Sequence, residues 1–341
     1  MITIKDVARH AQVSVTTVSH VINATRFVSA GSRERVLHAV ATLNYVPSAL
    51  ARSLKNNRTH TVGMMIPNSS NPYFAEIIRG IEDTCFDAGF NVILCNSDDD
   101  PRKQGQYIRV LAEKQVDGLI VLSSGGDDEL GAHLRNANMP QVLVDREVEH
   151  LSADLVEVNH ESGGYLATRH LLELGHRRIG CITGPLQLSS ALQRLQGHHR
   201  ALAEAGVDAD SGGLVEADFT SGGGFTAMQR LLALTTPPSA VFACNDLMAI
   251  GALCAASSAG LRVPQDLSVI GFDDIALAAY SSPPLTTVAQ PKHQMGELAA
   301  RLLLQRIAEP GRPHQREILQ PQLCVRSSTA ARTPRRGRRS P

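Results

Sequence analysis

The chain has 341 residues, 43% of them hydrophobic, with 33 Lys/Arg against 33 Asp/Glu, no Trp and only 13 Phe and Tyr together. That length predicts two to three domains with a large core, and the absence of any run of 18 apolar residues excludes a membrane-spanning helix. Six cysteines (Cys85, Cys95, Cys181, Cys244, Cys254, Cys324) are irregularly spaced without a C-x-x-C pair. They read as buried free thiols in a reducing compartment, and with no apolar signal segment behind Met1 the chain is expected in the cytoplasm.

The first predicted elements lie in "IKDVARHAQVSVTTVSHVIN", residues 4–23. Ile4, Val7, Ala8 and Ala11 recur at helical spacing, and Thr3 with Asp6 forms a capping box. After a turn at Gln12-Val13-Ser14, in which Ser14 is placed to cap, Val15, Val18, Val21 and Ile22 repeat the apolar spacing. Thr16, Thr17 and His20 are left on the opposite face, which is small, polar and uncharged, as a helix entering a major groove requires. A third pattern, Val36, Leu37, Val40 and Leu43, closes a three-helix unit.

Charge is segregated along the chain. Residues 1–60 carry eight basic side chains (Lys5, Arg9, Arg26, Arg33, Arg35, Arg52, Lys55, Arg58) and two acids (Asp6, Glu34). Residues 331–341 add five Arg and no acid, which leaves 20 basic and 31 acidic residues between. A basic N-terminal module suits a phosphate backbone, whereas the acidic middle is repelled by it. The Pro-, Gly- and Arg-rich end, residues 329–341, reads as a disordered basic tail.

Next comes "NYVPSALARSLKNNRTH", in which Pro47 and Ser48 precede a helix of barely two turns over 49–55. Isolated helices that short are marginal in water, so this one is expected to form only when held, as on DNA. From residue 61 the rhythm changes to short apolar runs ("TVGMMIP", "FNVILCN", "VDGLIVLS", "PQVLVD", "RRIGCITG", "SAVFACND", "LSVIGFDD") separated by amphipathic helical segments. This alternation predicts an α/β body of parallel sheets with crossover helices, long enough for two lobes and a cleft. Polar residues gather at the strand ends (68–71, 96–100, 145–146, 245–246, 273–274), where ligands bind in open parallel sheets.

No G-x-S-x-G, Walker A, H-E-x-x-H or strand-borne G-x-G-x-x-G motif is present, so no catalytic residue, cofactor or metal is expected. The 13 His are scattered, and the adjacent His198 and His199 are read as surface residues. A DNA-binding regulator, a plain ligand-binding protein and an enzyme remain open on this reading. The enzyme lacks a catalytic constellation, and the basic head argues against a plain ligand binder.

The segments "TIKDVARHAQVSVTTVSHVIN", "NYVPSALARSLK", "DGLIVLSS", "PPLTTVAQP" and "VIGFDD" together resemble the LacI/GalR (lac repressor) family over about residues 2–328. Within it, the ribose-responsive repressors are nearest and the purine-responsive ones next. The resemblance implies a helix-turn-helix DNA-binding head (1–46), a hinge helix and linker (47–60), and a two-lobed periplasmic-binding-protein-like (type I) effector and dimerisation domain (61–328). It assigns lobe 1 to about 61–160 plus 291–322, and lobe 2 to about 161–290 plus 323–328. It also implies a homodimer gripping pseudo-palindromic operator DNA, and no leucine-heptad tail follows that would build a higher oligomer.

Carried over by position, Val15, Thr16 and His20 read bases, Thr17 faces phosphate or base, and Thr3, Asn23 and Ser48 join the DNA contacts. Leu54 corresponds to the leucine that wedges the minor groove, flanked by Ala51 and Lys55, which agrees with the physics of an apolar wedge unstacking a base step. For the effector, motifs of periplasmic ribose-binding proteins have counterparts at Asn71, Tyr73, Phe74, Asp145, Arg146, Arg194, Asn245, Asp273 and Gln290, and Phe219 in "ADFTSGG" stands near another strand-helix junction as a further flat face. The implied ligand is D-ribose, stacked on flat apolar faces and held by two guanidinium forks satisfied by two carboxylates. Tyr73 departs from the sugar pattern, which has Phe there. The purine-type pattern, acting with a corepressor, has an arginine in the segment matching Gln187–Ser190, where this chain has none.

Overall fold

The computed structural model describes residues 2–46, 58–122, 127–146, 148 and 150–332. The chain divides into two compact units, Met1–Thr59 and His60–Pro341.

The first unit holds helices α1 (Ile4–Ala11), α2 (Val15–Asn23) and α3 (Ala30–Thr42). Asp6 accepts from the Thr3 backbone at 2.9 Å and from its hydroxyl at 2.7 Å, closing the expected capping box. These bonds, the hydroxyl's first, hold the Asp6 carboxyl below its ordinary range. Gln12, in the left-handed region at φ 52°, ends α1, and Ser14 then starts α2 by accepting from Thr17 N at 3.1 Å. Val7, Ala8, Ala11, Val18, Val21, Val36 and Ala39 form the core. Ile4, Ile22, Val40 and Leu43 pack against it partly buried, but two residues read as core from spacing take no part. Leu37 is 51% exposed because Val36 and Ala39 occupy the inward face of α3, and Val15, at the first position of α2, is also exposed.

The second unit contains two six-stranded sheets. In chain order its elements begin β1 (Thr61–Ile66), α4 (Pro72–Asp87), β2 (Asn91–Asn96), α5 (Pro101–Glu113), β3 (Gly118–Leu122), α6 (Asp127–Asn136), β4 (Gln141–Val144) and β5 (Asp154–Val158). Then follow α7 (His160–Glu173), β6 (Ile179–Thr183), α8 (Ser189–Glu204), β7 (Leu214–Glu216), α9 (Ser221–Leu232), β8 (Ala240–Ala243), α10 (Asp246–Ser258) and β9 (Ser268–Asp273). The last are β10 (Thr286–Ala289), α11 (Lys292–Ala308), β11 (Arg316–Leu319) and β12 (Gln322–Cys324).

Lobe 1 is built on the sheet β11-β5-β4-β3-β1-β2 and lobe 2 on β12-β10-β9-β8-β6-β7. Every pairing is parallel except β10 with β12. The chain passes between the lobes three times, after β5, after β10 and after β11. All seven apolar runs named from sequence are strands. The structure adds β5, β7, β10, β11 and β12, which are short or polar at alternate positions and carry little hydrophobic signal of their own.

Paired helices in each lobe approach closely through glycines. A Cβ on Gly164 of α7 would lie 2.0 Å from the Arg194 carbonyl, and one on Gly197 of α8 would lie 2.0 Å from that of Glu161. Only side chains of hydrogen let these two helices touch, and their contact sets the position of Arg194 beside His160. Two sequence expectations change here. His198 is buried, its Nδ1 2.8 Å from Thr168 Oγ1, because the same close crossing encloses it while His199 faces out. Burial pushes the His198 imidazole down to about 3. Of the cysteines read as buried, Cys254 is exposed and Cys324 half-buried, the latter on an edge strand. Among the described residues, no helix is long and apolar enough to cross a membrane.

In lobe 1, Arg306 of α11 meets Asp154 of β5 through two bonds of 2.9 and 3.0 Å and also donates to the carbonyls of Pro310, Arg312 and Pro313. Both side chains are almost wholly buried. Arg306→Leu should therefore lower unfolding free energy in urea by about 3–5 kcal/mol, since the buried Asp154 charge keeps only the Gln315 backbone N–H and loses its counter-charge. Adding Asp154→Leu should recover part of the loss, and strictly additive losses would show that the pair is not the source.

Candidate functional site

In the head, the exposed face of α2 presents Val15, Thr16 and Asn23, with Thr17 and His20 half-buried at its margin. Thr17 Oγ1 lies 2.9 Å from Ser14 Oγ, and His20 Nδ1 lies 2.8 Å from Thr25 Oγ1, so both side chains are held in one orientation. Asn23 donates back to the Ser19 carbonyl at 2.9 Å. Thr3 is exposed but engaged in capping α1. Ser48, Ala51, Leu54 and Lys55 lie outside the described residues.

In the body, the carboxyl ends of both sheets open onto one cavity of about 490 Å³. Nine of the ten expected effector residues line it: Asn71, Tyr73, Phe74, Asp145 and Arg146 from lobe 1, and Arg194, Phe219, Asn245 and Asp273 from lobe 2. Gln290, the tenth, does not. It is buried behind the wall, where Nε2 donates to Asp273 Oδ1 at 2.7 Å and Oε1 accepts from the Tyr73 hydroxyl at 3.3 Å.

Two of these nine double as helix caps. Asn71 Oδ1 accepts from Tyr73 N at 3.0 Å with Pro72 opening α4, and Asn245 Oδ1 accepts from Met248 N at 2.9 Å to open α10. Asn245 Nδ2 is also spent on the Phe219 carbonyl at 3.0 Å, which fixes that aromatic at the rim. The Phe219 ring sits where Gly184 has no side chain, since a Cβ there would come within 2.1 Å of it. Asp99, Asp145, Phe219 and Asp273 all line the cavity with positive φ (51°, 66°, 63° and 111°). Such backbone is costly for non-glycine residues and gathers where a site must hold side chains in place.

The buried polar groups form a closed circuit. Asp145 Oδ2 accepts from the Tyr73 hydroxyl at 3.0 Å, and its Oδ1 lies 2.8 Å from His160 Nε2. Arg194 Nε donates to His160 Nδ1 at 3.3 Å, its Nη1 donates to the Cys244 carbonyl at 2.5 Å, and the same Nη1 lies 3.6 Å from Asp273 Oδ1. Gln290 and Tyr73 complete the circuit back to Asp145. The expected arrangement of two forks each beside a carboxylate is thus half realised. Arg194 pairs with Asp273 and stacks 3.9 Å over the Phe272 ring, whereas Asp145 is held by His160 and Tyr73. Tyr73 accordingly turns its hydroxyl into the circuit and sets its ring edge-on to Phe74.

The environment splits the two carboxylates. Burial pushes Asp145 up, but His160, Arg194 and the Tyr73 hydroxyl outweigh it and hold the carboxyl below its usual range. Burial pushes Asp273 up to about 6 against the opposing pull of Arg194, Gln290 and Lys292. Lys292 is itself buried and donates to the Asp273 and Asp274 carbonyls at 2.6 and 2.8 Å. Burial, followed by the charges of Asp145 and Asp273, raises the Tyr73 phenol well above its ordinary value, so it stays a neutral donor. Arg146 is lowered by burial, opposed by Asp99.

Sequence reasoning missed Ser189, Ser190, Asp218 and Thr220 on the wall, and His160 behind it. Ser189 and Asp218 follow β6 and β7 as the strand-end rule requires, and the rule applied to those strands would have found them. His160 offered no signal, being one of 13 scattered histidines.

Two family profiles match the chain, "Bacterial regulatory proteins, lacI family" over residues 3–48 and "Periplasmic binding protein-like domain" over residues 168–329. The HTH-type transcriptional repressor PurR of Photobacterium profundum is 45% identical over 331 residues, covering 96% of this chain and 98% of that protein. The ribose operon repressor of Escherichia coli K12 is 46% identical over 329 residues, covering 96% of this chain and 100% of that protein. The structure of the lac repressor dimer bound to operator and the anti-inducer ONPF aligns with a TM-score of 0.89 at 30% identity, over 97% of this chain and 99% of that one. With a helix-turn-helix head, a two-lobed body and relatives aligned over nearly the full length of both, the chain belongs to the lacI family of DNA-binding transcriptional repressors.

Proposed function

We propose that the protein is a cytoplasmic homodimer, not an enzyme, that represses genes from a pseudo-palindromic operator and releases it on binding D-ribose. The observation that carries the effector is the buried Arg194–Asp273 pair, 3.6 Å apart, opening onto a cavity flanked by Phe74 and Phe219. A sugar hydroxyl both donates and accepts, so a vicinal diol satisfies a neighbouring carboxylate and guanidinium together, while the ring's C–H face rests on an aromatic. The likeness to a ribose operon repressor supports the same ligand.

A second reading, a purine base acting as corepressor, draws on the equal likeness to PurR. Against it, the wall at Leu188, Ser189 and Ser190 offers an apolar group and two hydroxyls, and no guanidinium to grip a flat heterocycle along one edge. On the ribose reading the sugar binds the DNA-released form better, and the operator weakens sugar binding by the same factor.

Calorimetric titration with D-ribose, hypoxanthine and guanine separates the two. Heat with ribose that disappears in Asp145→Ala is the expected result, and heat with a purine alone would overturn the effector. Leu54→Ala should weaken binding to a duplex selected from a random pool while leaving ribose affinity unchanged, whereas loss of both would argue against a dedicated hinge role.

Ribose binding should also carry a proton signature. If the sugar binds ionised Asp273, whose carboxyl in the free protein sits at about 6, affinity is full above that pH and lost as pH falls through it. Binding at pH 6 should then release up to about half a proton, seen as a buffer-dependent heat, and almost none at pH 8. No release at pH 6 would remove Asp273 from the ligand's direct partners.

A further inference from the structure

We propose that His160 is a positioning residue that ties the ligand-binding carboxylate of lobe 1 to the ligand-binding guanidinium of lobe 2, and so links effector binding to the angle between the lobes. The inference rests on the effector reading above and extends it to a residue outside the cavity wall.

His160 opens α7 directly after β5, on one of the three passages between the lobes, and is 2% exposed. Its two nitrogens face groups from opposite lobes. Arg194 Nε carries a hydrogen and can only donate, so Nδ1 must present its lone pair to it. The proton therefore sits on Nε2, which donates to Asp145 Oδ1 at 2.8 Å. The imidazole relays donation in a fixed direction, from guanidinium to ring to carboxylate.

Gln290 plays the matching part on a second passage, after β10. Its amide nitrogen must face the Asp273 carboxylate, which leaves its oxygen for the Tyr73 hydroxyl. The circuit Asp145–His160–Arg194–Asp273–Gln290–Tyr73 thus joins a lobe 1 pair, Tyr73 and Asp145, to a lobe 2 pair, Arg194 and Asp273, through one connector residue on each side. A rotation of one lobe on the other pulls Asp145 and Tyr73 away from Arg194 and Asp273, and it must break or stretch bonds at His160 and Gln290. A ligand bridging Asp145 and Arg194 favours the lobe angle at which this circuit closes. Neither connector residue needs to touch the ligand to report its presence.

The two ends of His160 can be tested separately. His160→Ala removes both bonds. In His160→Gln the amide nitrogen reaches roughly where Nε2 stood and keeps the donation to Asp145, but nothing accepts from Arg194 Nε. With the intact dimer, D-ribose affinity is measured by calorimetry, and operator affinity with and without saturating ribose gives the switching ratio. Thermal melting of each variant checks folding.

His160→Ala should weaken ribose binding by about ten- to a hundredfold and bring the switching ratio close to one even at saturating ribose. His160→Gln should recover part of both. A merely structural role would lower melting temperature and leave the ratio at saturation unchanged, and that result overturns the proposal. If the wild type is silent with ribose but binds hypoxanthine, the effector reading fails. The same ratio measured with hypoxanthine then decides the role of His160: a ratio unchanged in His160→Ala overturns it, and a ratio lost supports it.

Discussion

A guanidinium cannot be taken out of water alone, and the burial of Arg194 is the constraint around which the base of the cleft is arranged. Even after relaxation, an isolated buried charge costs several kcal/mol, so its donors must all find partners. One carbonyl, one imidazole, a carboxylate and the face of Phe272 surround Nε, Nη1 and the guanidinium plane. The position is only reachable because Gly164 and Gly197 let α7 and α8 cross at backbone contact. Lengthening either glycine by one carbon would push Arg194 away from His160, so a packing decision on the outside of lobe 2 sets the chemistry inside the cleft.

The same constraint explains why two carboxylates in one cavity behave differently. Asp145 receives donors from both of its neighbours and is held strongly ionised, while Asp273 shares its guanidinium and sits deeper. Asp273 is thereby kept near the point at which a small change in surroundings changes its charge. Tyr73, held neutral by burial and by both carboxylates, supplies the proton that lets two acceptors stand close together. The phenol that looked like a departure from a sugar pattern is the group that joins Asp145 to Gln290. Phe at this position would leave both of those acceptors without that donor.

Much of this was legible in the sequence, and the divisions between what was and was not have physical causes. The head was readable because capping and 3.6-residue spacing are local, and Ser14 and the Thr3–Asp6 box do what their spacing implies. The strongly apolar strands were readable for the same reason, whereas β5, β7 and β10 to β12 are short and defined by their neighbours. Strand-end polar clusters located the cavity because parallel sheets direct ligands there. His160 and Gln290 were not legible as a pair, since they are 130 residues apart in sequence and meet only through the lobe crossings. His198 and Leu37 show the opposite error, in which a close helix crossing encloses a polar residue and helix register exposes an apolar one.

The energies involved are small enough for such a circuit to matter. A hundredfold change in operator affinity corresponds to about 2.7 kcal/mol of difference between two lobe arrangements. A hydrogen bond to a charged group contributes about 1.5–3 kcal/mol when its loss leaves a buried partner unsatisfied. Between one and two such bonds, made in one arrangement and broken in the other, therefore suffice, and the circuit contains three that join a lobe to a connector through a charged group. The apolar walls contribute affinity but little discrimination, because burial of apolar surface is non-directional. Selectivity for one lobe angle must then come from the polar groups, whose geometry tolerates only a few tenths of an ångström. For the same reason the connectors, rather than the walls, are where a chain of this family can adjust how strongly a ligand is felt without changing which ligand it holds.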